Sequence, residues 1–345
     1  MSQDDLSGLG WTSHFARQLD PSEPGQPARV SGVERSHILA LGAAPDPLRL
    51  LVPQGTGSLG VGDWVLHDGA TVLRRLLPAT EIVRRNAGDT SRRQLIACNV
   101  DTLGIVTSCN ADFNPARLER YLAVAASAGC APLVILTKAD QAEDPDRYLV
   151  EARALSPLVE AVALNARDPE EVARLAPWCG PGRTLALVGS SGVGKTTIQN
   201  TLTGVEAATG GIREDDAKGR HTTTARALRR TLAGGCLIDN PGIRELGLVD
   251  AAEGVAEVFA DLEELAAACR FRDCSHEKEP GCAIQAAIAA GTLEPDRLRR
   301  WQKLDREDRL HTESLQERHA RTRSWAKATR AGSERSQWKR RGPGD

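Results

Sequence analysis

The sequence predicts a multidomain α/β protein built from three successive regions. Residues 28 to about 85 contain short β-like runs separated by glycine and proline turns, which is typical of a small all-β sandwich or barrel. In the next region apolar strands alternate with helical segments, which predicts an α/β domain with a mainly parallel sheet. From about residue 251 the chain is predicted to be helical, with an interruption at 269–282 that contains cysteine and histidine.

Apolar runs and turn residues set the bounds of the predicted elements. The β-like runs of the first region are 29–33, 37–41, 48–52 and 64–67. In the second region the predicted buried strands are 103–108, 133–136, 184–188 and 236–238, and a helix is predicted at 115–128. The residues before 28 end in the segment PSEPGQP, which predicts a flexible or disordered tether.

Composition excludes some classes of function. A chain of 345 residues with 41% hydrophobic and 26% charged residues is ordinary for a globular protein of two or three domains. Aromatic residues make up 3%, which disfavours binding of many bases by stacking. No apolar run is long enough for a membrane span, and the acidic start MSQDDLSGLGW lacks the features of a signal peptide, so a cytoplasmic location is expected.

A phosphate-binding loop is the strongest single motif. The segment GSSGVGKT, from Gly189 to Thr196, matches G-x-x-x-x-G-K-[ST] and lies between a predicted strand and a predicted helix. Its glycines let backbone N–H groups turn towards phosphate oxygens, and the helix start adds its positive dipole end. Lys195 would reach the β- and γ-phosphates, and Thr196 would offer a hydroxyl to Mg²⁺.

A second motif indicates which base is bound. Thr137, Lys138, Ala139 and Asp140 follow a buried strand and fit [NT]-K-x-D. The Asp140 carboxylate can accept hydrogen bonds from N1–H and the exocyclic amino group of guanine, a donor pair that adenine lacks. Further along the chain, Asn165 and Ala166 follow the apolar residues 162–164 and would contact the guanine O6 through backbone N–H groups.

A third motif, D-x-x-G, begins at Asp239 and ends at Gly242. Asp239 would bind Mg²⁺ through water, and the Gly242 N–H would sense the γ-phosphate. A simple turn at a strand end is the alternative. The guanine motif precedes the phosphate-binding loop here, and D-x-x-G comes last. This is the reverse of the usual order and predicts a circularly permuted GTPase, a rearrangement permitted by the closeness of domain termini.

The segment GRHTTT, residues 219–224, is predicted to form a mobile switch. One of Thr222, Thr223 and Thr224 would coordinate Mg²⁺, and Thr223 is counted with Lys195 and His221 among the candidate catalytic residues. Ile243 occupies the position where Ras-like GTPases carry a glutamine that orients water, so His221 is the candidate for that role. A loop histidine without a role is the alternative.

A metal site is predicted in the third region. Three cysteines and a histidine are spaced as C-x4-C-x-H-x5-C, and they are Cys269, Cys274, His276 and Cys282. Three thiolates and one imidazole suit a closed tetrahedral Zn²⁺ site that stabilises a small lobe. The alternative is a set of ordinary core cysteines, but the other five cysteines are dispersed along the chain.

These motifs, in this order, resemble the ribosome small-subunit-dependent GTPase A family of bacteria. The resemblance rests on GSSGVGKTT, TKAD, GRHTTT, DNPG and CRFRDCSHEKEPGCAI, and it covers roughly residues 28–300. It implies an OB-fold, a permuted GTPase domain with Mg²⁺ and one structural Zn²⁺. It also implies that the small ribosomal subunit stimulates GTP hydrolysis, that the protein binds rRNA and acts in late maturation of the subunit, and that the GTP/GDP switch is coupled to release. The expected state is a monomer without membrane contact.

The resemblance also assigns domains and site residues. The predicted domains are a flexible extension (1–27), an OB-fold domain (28–88), a permuted GTPase domain (89–248), a helical zinc domain (249–317) and a basic tail (318–345). The predicted residues of the phosphate-binding loop are Gly189, Ser190, Ser191, Gly192, Val193, Gly194, Lys195, Thr196 and Thr197. Within the tail, residues 318–341 contain nine Lys or Arg and one acid, which favours contact with rRNA or a solvated tail.

The chain departs from the family pattern at some positions. Thr137 lacks the amide of the usual asparagine, which is expected to weaken one contact to the base or to the phosphate-binding loop. Trp64 is the one aromatic residue in 28–88, so RNA binding there is expected to depend on Arg and Lys. Two other functions stay open. One is an ATP-dependent enzyme, and the other is a zinc-stapled RNA-binding protein whose nucleotide site is regulatory.

Overall fold

The protein is described from a computed structural model. The structure describes residues 4–44, 46–85, 93–205, 226–239 and 251–312. Three layers of organisation follow one another along the chain, namely an antiparallel barrel, a mainly parallel sheet with helices on its faces, and a group of helices.

Two short helices precede the barrel, α1 (Asp4–Ser7) and α2 (Ser13–Ala16). Leu9 is fully buried and Phe15 is buried. Trp11 packs edge-on against Trp64 of the barrel, with ring centroids 4.8 Å apart. This segment therefore differs from the flexible extension that its proline-rich end predicts, because Leu6, Leu9 and Phe15 are buried in the core. Helices of four residues leave little periodic signal in a sequence.

The N-terminal sheet closes into a barrel. Its strands are β1 (Gln26–Val33), β2 (His37–Leu41), β3 (Leu48–Leu51), β4 (Trp64–His67) and β5 (Val72–Arg75). They pair in the order β3-β2-β1-β4-β5, and a parallel bridge between Leu51 and Thr71 joins the two edges. Alternation places Ile38 and Ala40 of β2 inside, as the strand period of two requires. This is the five-stranded arrangement predicted as an OB-fold.

A hairpin connects the barrel to the next region. It consists of β6 (Glu81–Arg85) and β7 (Arg93–Cys98), which pair antiparallel. A bridge from Val61 to Ala97 attaches this hairpin to the barrel. The predicted domain boundary between residues 88 and 89 falls within the hairpin, so its two strands belong to one unit of structure. The remaining domain bounds stay predictions.

The central sheet has six strands in the order β10-β9-β8-β11-β13-β12. All neighbours are parallel except β12 and β13, which are antiparallel. Its elements in chain order are β8 (Thr102–Ser108), α3 (Pro115–Ser127), β9 (Ala131–Thr137), α4 (Pro145–Arg153), β10 (Glu160–Ala163), α5 (Pro169–Ala173), α6 (Ala176–Cys179), β11 (Thr184–Gly189), α7 (Lys195–Thr203), β12 (Ala227–Arg230) and β13 (Cys236–Asp239). Strands β8 and β11 are buried along their whole length, as expected for continuous apolar runs in a parallel sheet.

The C-terminal helices are α8 (Ala252–Val258), α9 (Ala260–Ala267), α10 (Ala283–Ala289) and α11 (Pro295–Thr312). Helix α8 approaches α3 very closely at Gly254, where an added Cβ would lie 2.2 Å from the Ala123 carbonyl oxygen. The fully buried Glu119 of α3 accepts hydrogen bonds from Arg297 Nη1 at 3.2 Å and Arg300 Nε at 2.7 Å, both on α11. The helices are therefore packed directly onto the central domain.

One hydrophobic core runs through all three regions. It includes Leu9 of the N-terminal segment, Trp64 of the barrel, Ile105 of the central sheet and Leu298 of α11. A second cluster fills the space between the sheet and helices α5 to α7. Among the described helices, none combines the length and apolar character that a membrane crossing needs.

Candidate nucleotide and metal sites

The phosphate-binding loop lies between β11 and α7, as predicted. Gly189 has a φ of +135°, and an added Cβ would lie 2.1 Å from the Val106 carbonyl oxygen of β8. A side chain is therefore excluded there, because the loop starts in contact with the neighbouring strand. Gly192 and Gly194 also have positive φ values, 78° and 100°, which only glycine adopts at little cost. The glycine spacing of the motif thus has a conformational cause.

Lys195 opens helix α7 and reaches back over the loop. Its Nζ donates to the Gly189 carbonyl at 2.8 Å and also to the Ser190 carbonyl. Thr196 follows on the first turn of the helix and is exposed. The ammonium group and the hydroxyl therefore lie where phosphate oxygens and their cation would enter, at the positive end of a helix.

Thr137 joins the guanine motif to the phosphate-binding loop. Its side chain is fully buried, and its Oγ1 lies 2.6 Å from the Val193 carbonyl oxygen and 3.1 Å from that of Thr107. A hydroxyl has one proton to donate, and the shorter distance assigns it to Val193. The absence of an asparagine amide at this position was expected to weaken a contact to the base or to the phosphate-binding loop. The threonine hydroxyl makes the contact to the loop instead.

The rest of the guanine motif faces outward from the end of β9. Lys138 adopts a left-handed conformation with a φ of 56°, and a short 3₁₀ turn, Ala139–Gln141, follows it. Asp140 lies on this turn and is exposed, so its carboxylate is open to a ligand.

The second guanine segment lies beside the first, and its backbone donors are mostly engaged. The Asn165 N–H donates to Glu171 Oε2 at 2.8 Å. Ala166 is buried, and its Cβ lies 3.4 Å from where a Cβ on Gly194 would be. Of the two N–H groups predicted to contact O6, that of Asn165 is thus already satisfied by a side chain that the sequence analysis did not single out.

Asp239 ends β13, next to the strand that carries the phosphate-binding loop. It pairs in register with Leu187 of β11. Burial raises the pKa of its carboxyl group, while a hydrogen bond from the Gln199 side chain and the charges of Arg229 and Lys195 lower it. Gln199 lies one turn after Lys195 on α7 and is buried, so both side chains are on the face that meets β13. The sequence alone gives no signal for this contact, because Gln199 is there an ordinary helical glutamine.

Several predicted residues lie outside the described part of the chain. They are His221, Thr222, Thr223, Thr224 and Gly242. The predicted Mg²⁺ ligands within the described part are Thr196 and Asp239. A hydroxyl and a carboxylate are oxygen donors of the kind Mg²⁺ takes in nucleotide sites, so these two residues fit the ion.

The four predicted zinc ligands come together. Their ligand atoms lie within 4.8 Å of one another. Cys269 Sγ is 3.8 Å from Cys282 Sγ, and His276 Nδ1 is 3.6 Å from each of these sulfurs. Zn–S and Zn–N bonds of ordinary length in a tetrahedron give separations of about 3.8 Å and about 3.6 Å, so the cluster fits zinc.

The loop that carries these ligands is held by a carboxylate. Glu279 accepts hydrogen bonds from the backbone N–H groups of Ser275, Glu277 and Lys278 at 2.9–3.0 Å, and from the Ser275 hydroxyl. These donors lower the pKa of Glu279 to about 2, the Ser275 hydroxyl being the largest cause. Gln285 Nε2 donates to the His276 carbonyl at 2.6 Å. The ligands are therefore oriented by their own loop and by the first turn of α10.

Comparisons with known proteins identify the family of the chain. A family model described as RsgA GTPase matches residues 76–249. A relative from Mesorhizobium japonicum, named small ribosomal subunit biogenesis GTPase RsgA, is 50% identical over 90% of this chain and 92% of its own. The chain belongs to the RsgA GTPase family. A second relative, named small ribosomal subunit biogenesis GTPase RsgA 2, from Vibrio vulnificus, is 46% identical over 94% of both chains.

Solved structures show the same fold. YjeQ from Thermotoga maritima superposes with a TM-score of 0.58 and 20% identity, covering 81% of this chain and 97% of its own. YloQ, described as a circularly permuted GTPase, also has a TM-score of 0.58 and 20% identity, covering 86% of this chain and 99% of its own. The predicted permuted fold is therefore confirmed, and the family assigns the chain as a GTP-hydrolysing enzyme.

Proposed function

We propose that this enzyme hydrolyses GTP on the small ribosomal subunit, late in the maturation of that subunit. The observation that carries the nucleotide part is the convergence of the two guanine segments on the phosphate-binding loop, held by the bond from Thr137 to Val193. The ribosomal part is supported by the names of the relatives, which describe them as small ribosomal subunit biogenesis GTPases. The subunit would stimulate hydrolysis, rRNA would be bound, and the GTP/GDP switch would be coupled to release in the cytoplasm.

The residues divide the work of binding. Asp140 would accept from N1–H and the amino group of guanine, and the stem of Lys138 would cover the base. The backbone of Gly189–Thr197 would cradle the phosphates, with Lys195 neutralising their charge. These roles follow from donor and acceptor chemistry, since an exposed carboxylate at the base site discriminates against adenine.

Thr196 and Asp239 would hold Mg²⁺, with one of Thr222, Thr223 and Thr224 as a further ligand and Gly242 sensing the γ-phosphate. The ion supplies charge neutralisation for the phosphates when it is bound. Asp239 stays oriented by Gln199 in this arrangement. His221 is the proposed group that orients the attacking water once the ribosome orders its segment, and intrinsic turnover is expected to be slow without that ordering.

Zinc would act as a structural ion at Cys269, Cys274, His276 and Cys282. All four positions of a tetrahedron are filled by the protein, so none is left for catalysis. The zinc lobe is attached to α3 of the central domain through α8 and α11.

Turnover with and without purified small ribosomal subunits tests the proposal. GTP hydrolysis should rise at least about tenfold with subunits, and ATP should neither be hydrolysed nor compete. Lys195→Ala should abolish turnover while leaving zinc content unchanged. Hydrolysis that is indifferent to subunits would remove the ribosomal role and leave the GTPase. Full activity with ATP would contradict the assignment of the guanine segments.

A further inference from the structure

Three of the four backbone N–H groups of residues 165–168, which follow β10, donate hydrogen bonds within the protein. The Arg167 N–H donates to Asn165 Oδ1 at 2.9 Å, and the Asp168 N–H donates to the Asn165 carbonyl at 3.0 Å. The Asn165 N–H donates to Glu171. Within the described part of the chain, the Ala166 N–H alone of these four donors makes no protein hydrogen bond. An N–H of a buried residue without a partner indicates a place for a ligand acceptor.

The peptide group between Leu164 and Asn165 is held at both ends. Its carbonyl accepts from the Ala139 N–H of the first guanine segment at 3.5 Å. Its N–H donates to the Glu171 carboxylate at 2.8 Å, a charge-assisted bond and the shorter of the two. Glu171 therefore fixes the plane of the peptide that links the two guanine segments.

Helix α5 is built to hold Glu171 in place. Asp168 caps the helix by accepting from the Glu170 N–H at 2.9 Å, and Pro169 opens the first turn. Glu171 is half-buried, and the neighbouring Val172 is fully buried in the core beside α7. The carboxylate thus projects from a rigid turn towards the segment that precedes it.

The direction of the free donor follows from the next peptide group. The Asn165 carbonyl points to Asp168 at the start of α5, and the C=O and N–H of a trans peptide point in opposite directions. The Ala166 N–H therefore points away from α5. Ala166 itself lies against Gly194, and Thr137 lies against the same glycine, 3.6 Å from where its Cβ would be. The donor that points away from α5 thus belongs to a residue that packs against the phosphate-binding loop.

We propose that Glu171 is a positioning residue for guanine recognition, which keeps the Ala166 N–H directed at the O6 atom by holding the N–H of Asn165. The inference rests on the proposed use of Ala166 as the O6 donor. Without Glu171 the Asn165 N–H would lose its partner, and the segment would be able to turn towards solvent or towards the base. Glu171 touches no nucleotide atom in this scheme, so its effect is specific to the base atom that Ala166 contacts.

Binding of three diphosphates tests this. GDP, 6-thio-GDP and IDP are titrated against a fluorescent GDP analogue on the full chain, without ribosomes. Sulfur at position 6 is a poor acceptor, so the wild-type protein should bind 6-thio-GDP about fivefold more weakly than GDP. IDP lacks the amino group that Asp140 would contact, and its penalty serves as the internal reference. In Glu171→Met the penalty for 6-thio-GDP should fall to within about twofold, while the penalty for IDP stays unchanged.

Matched variants complete the experiment. Glu171→Gln keeps an acceptor oxygen and should retain most of the penalty for 6-thio-GDP. Glu170→Met removes an exposed carboxylate from the same helix and should behave as the wild type. Glu171→Asp keeps the charge but is one methylene too short to reach Asn165, so it should behave as Glu171→Met. It also answers the question if the methionine variant fails to fold.

The possible outcomes distinguish a failure of the role of Glu171 from a failure of the assignment of the Ala166 N–H to O6. If the wild-type protein binds GDP and 6-thio-GDP equally, the assignment of Ala166 to O6 is wrong. If the wild type discriminates and both Glu171→Met and Glu171→Asp discriminate equally well, the role of Glu171 is wrong. An equal loss of affinity for all three diphosphates in these variants would also overturn it, because the glutamate would then support the fold alone.

Discussion

A single buried hydroxyl connects the base site to the phosphate site. Thr137 Oγ1 lies 2.6 Å from the Val193 carbonyl, and the side chain is inaccessible to solvent. Thr137→Val keeps the shape and removes the donor, so a buried carbonyl loses its partner at a cost of about 1–3 kcal/mol. We expect GDP affinity to fall about tenfold and the melting temperature to fall by several degrees, measured by fluorescence titration and calorimetry. Thr137→Ser keeps the hydroxyl and should retain both the GDP affinity and the melting temperature. If Thr137→Val has the GDP affinity and melting temperature of the wild type, the hydrogen bond to Val193 is dispensable.

Gln199 is the second residue whose importance lies in its partner. Its side chain hydrogen-bonds Asp239, whose carboxyl group has its pKa raised by burial. Gln199→Met fills the same space without a donor, so we expect the Mg²⁺ concentration for half-maximal GTP binding to rise about tenfold. Binding in the absence of Mg²⁺ should stay within about twofold of the wild type. Thr201→Ala, on the same helix, is the control. If Gln199→Met needs no more Mg²⁺ than the wild type, Gln199 does not position Asp239 for the ion.

The sequence identifies the motif residues but not their supports. Glycine, lysine and threonine at motif spacing have a chemical meaning that needs no knowledge of distant contacts, so the sequence alone is enough to propose a phosphate-binding loop and a zinc site. Glu171 and Gln199 are an ordinary helical glutamate and glutamine in the sequence. Their roles arise only when α5 and α7 meet the ends of β10 and β13. The engagement of the Asn165 N–H was unpredictable for the same reason.

At the scale of elements, one carboxylate stabilises the loop that carries the proposed zinc ligands. Glu279 collects four hydrogen bonds from three residues of the loop. Glu279→Gln can accept fewer of them and loses the charge that makes them strong. We expect zinc to transfer to a chromogenic chelator several times faster than from the wild type, at neutral pH. Glu277→Gln, an exposed neighbour, should transfer zinc at the normal rate, and equal rates for both variants would contradict the assignment.

The contact between α3 and α11 depends on a charge that water cannot reach. Glu119 is fully buried, while Arg297 and Arg300 are 13% and 20% exposed. Glu119→Gln would leave the partly buried Arg300 without the carboxylate it pairs with, while Arg297 keeps its ion pair with Asp261, and the loss costs about 2–4 kcal/mol after allowance for the exposure of the arginines. We expect urea unfolding to show this loss, or a separate early transition for the C-terminal helices. Glu307→Gln, which affects a pair with Arg120 nearer the surface, should cost less.

Prediction of the elements succeeded where burial is continuous. Four of the six strands of the central sheet, β8, β9, β11 and β13, were placed to within about two residues, because apolar runs of that length have few other uses, whereas β10 and β12 were not predicted. The close approach of α8 to α3 at Gly254 could not be predicted, since a glycine within a helix usually weakens it. The N-terminal helices were missed because each contributes only one or two buried side chains.

At the scale of the whole molecule, one buried arginine links the N-terminal segment, the barrel and the start of the central domain. Arg29 of β1 donates to the carbonyls of Leu9 in the N-terminal segment, Gly62 in the barrel and Asn99 before β8. Its guanidinium also lies over Trp64, 5.9 Å from the ring centroid. Burial lowers the pKa of this guanidinium group, because the charged form loses its solvation by water. The hydrogen bonds to these carbonyls offset that loss of solvation. The barrel therefore sits on the central domain in a defined position.

Removal of residues 1–25 tests whether the N-terminal segment is part of this arrangement. The deletion takes away the buried side chains of Leu9 and Phe15 and one carbonyl partner of Arg29. Each lost core side chain costs about 2–5 kcal/mol, so the melting temperature should fall by more than about 5 °C. GDP affinity should stay within about twofold of the full chain. The segment packs near Gly182, at the amino end of β11, whereas the nucleotide residues lie at its carboxyl end. If the melting temperature is unchanged, the segment is the flexible tether that its sequence predicts. The hydrophobic cluster that contains Trp64 would then end at the barrel and would not depend on Leu9.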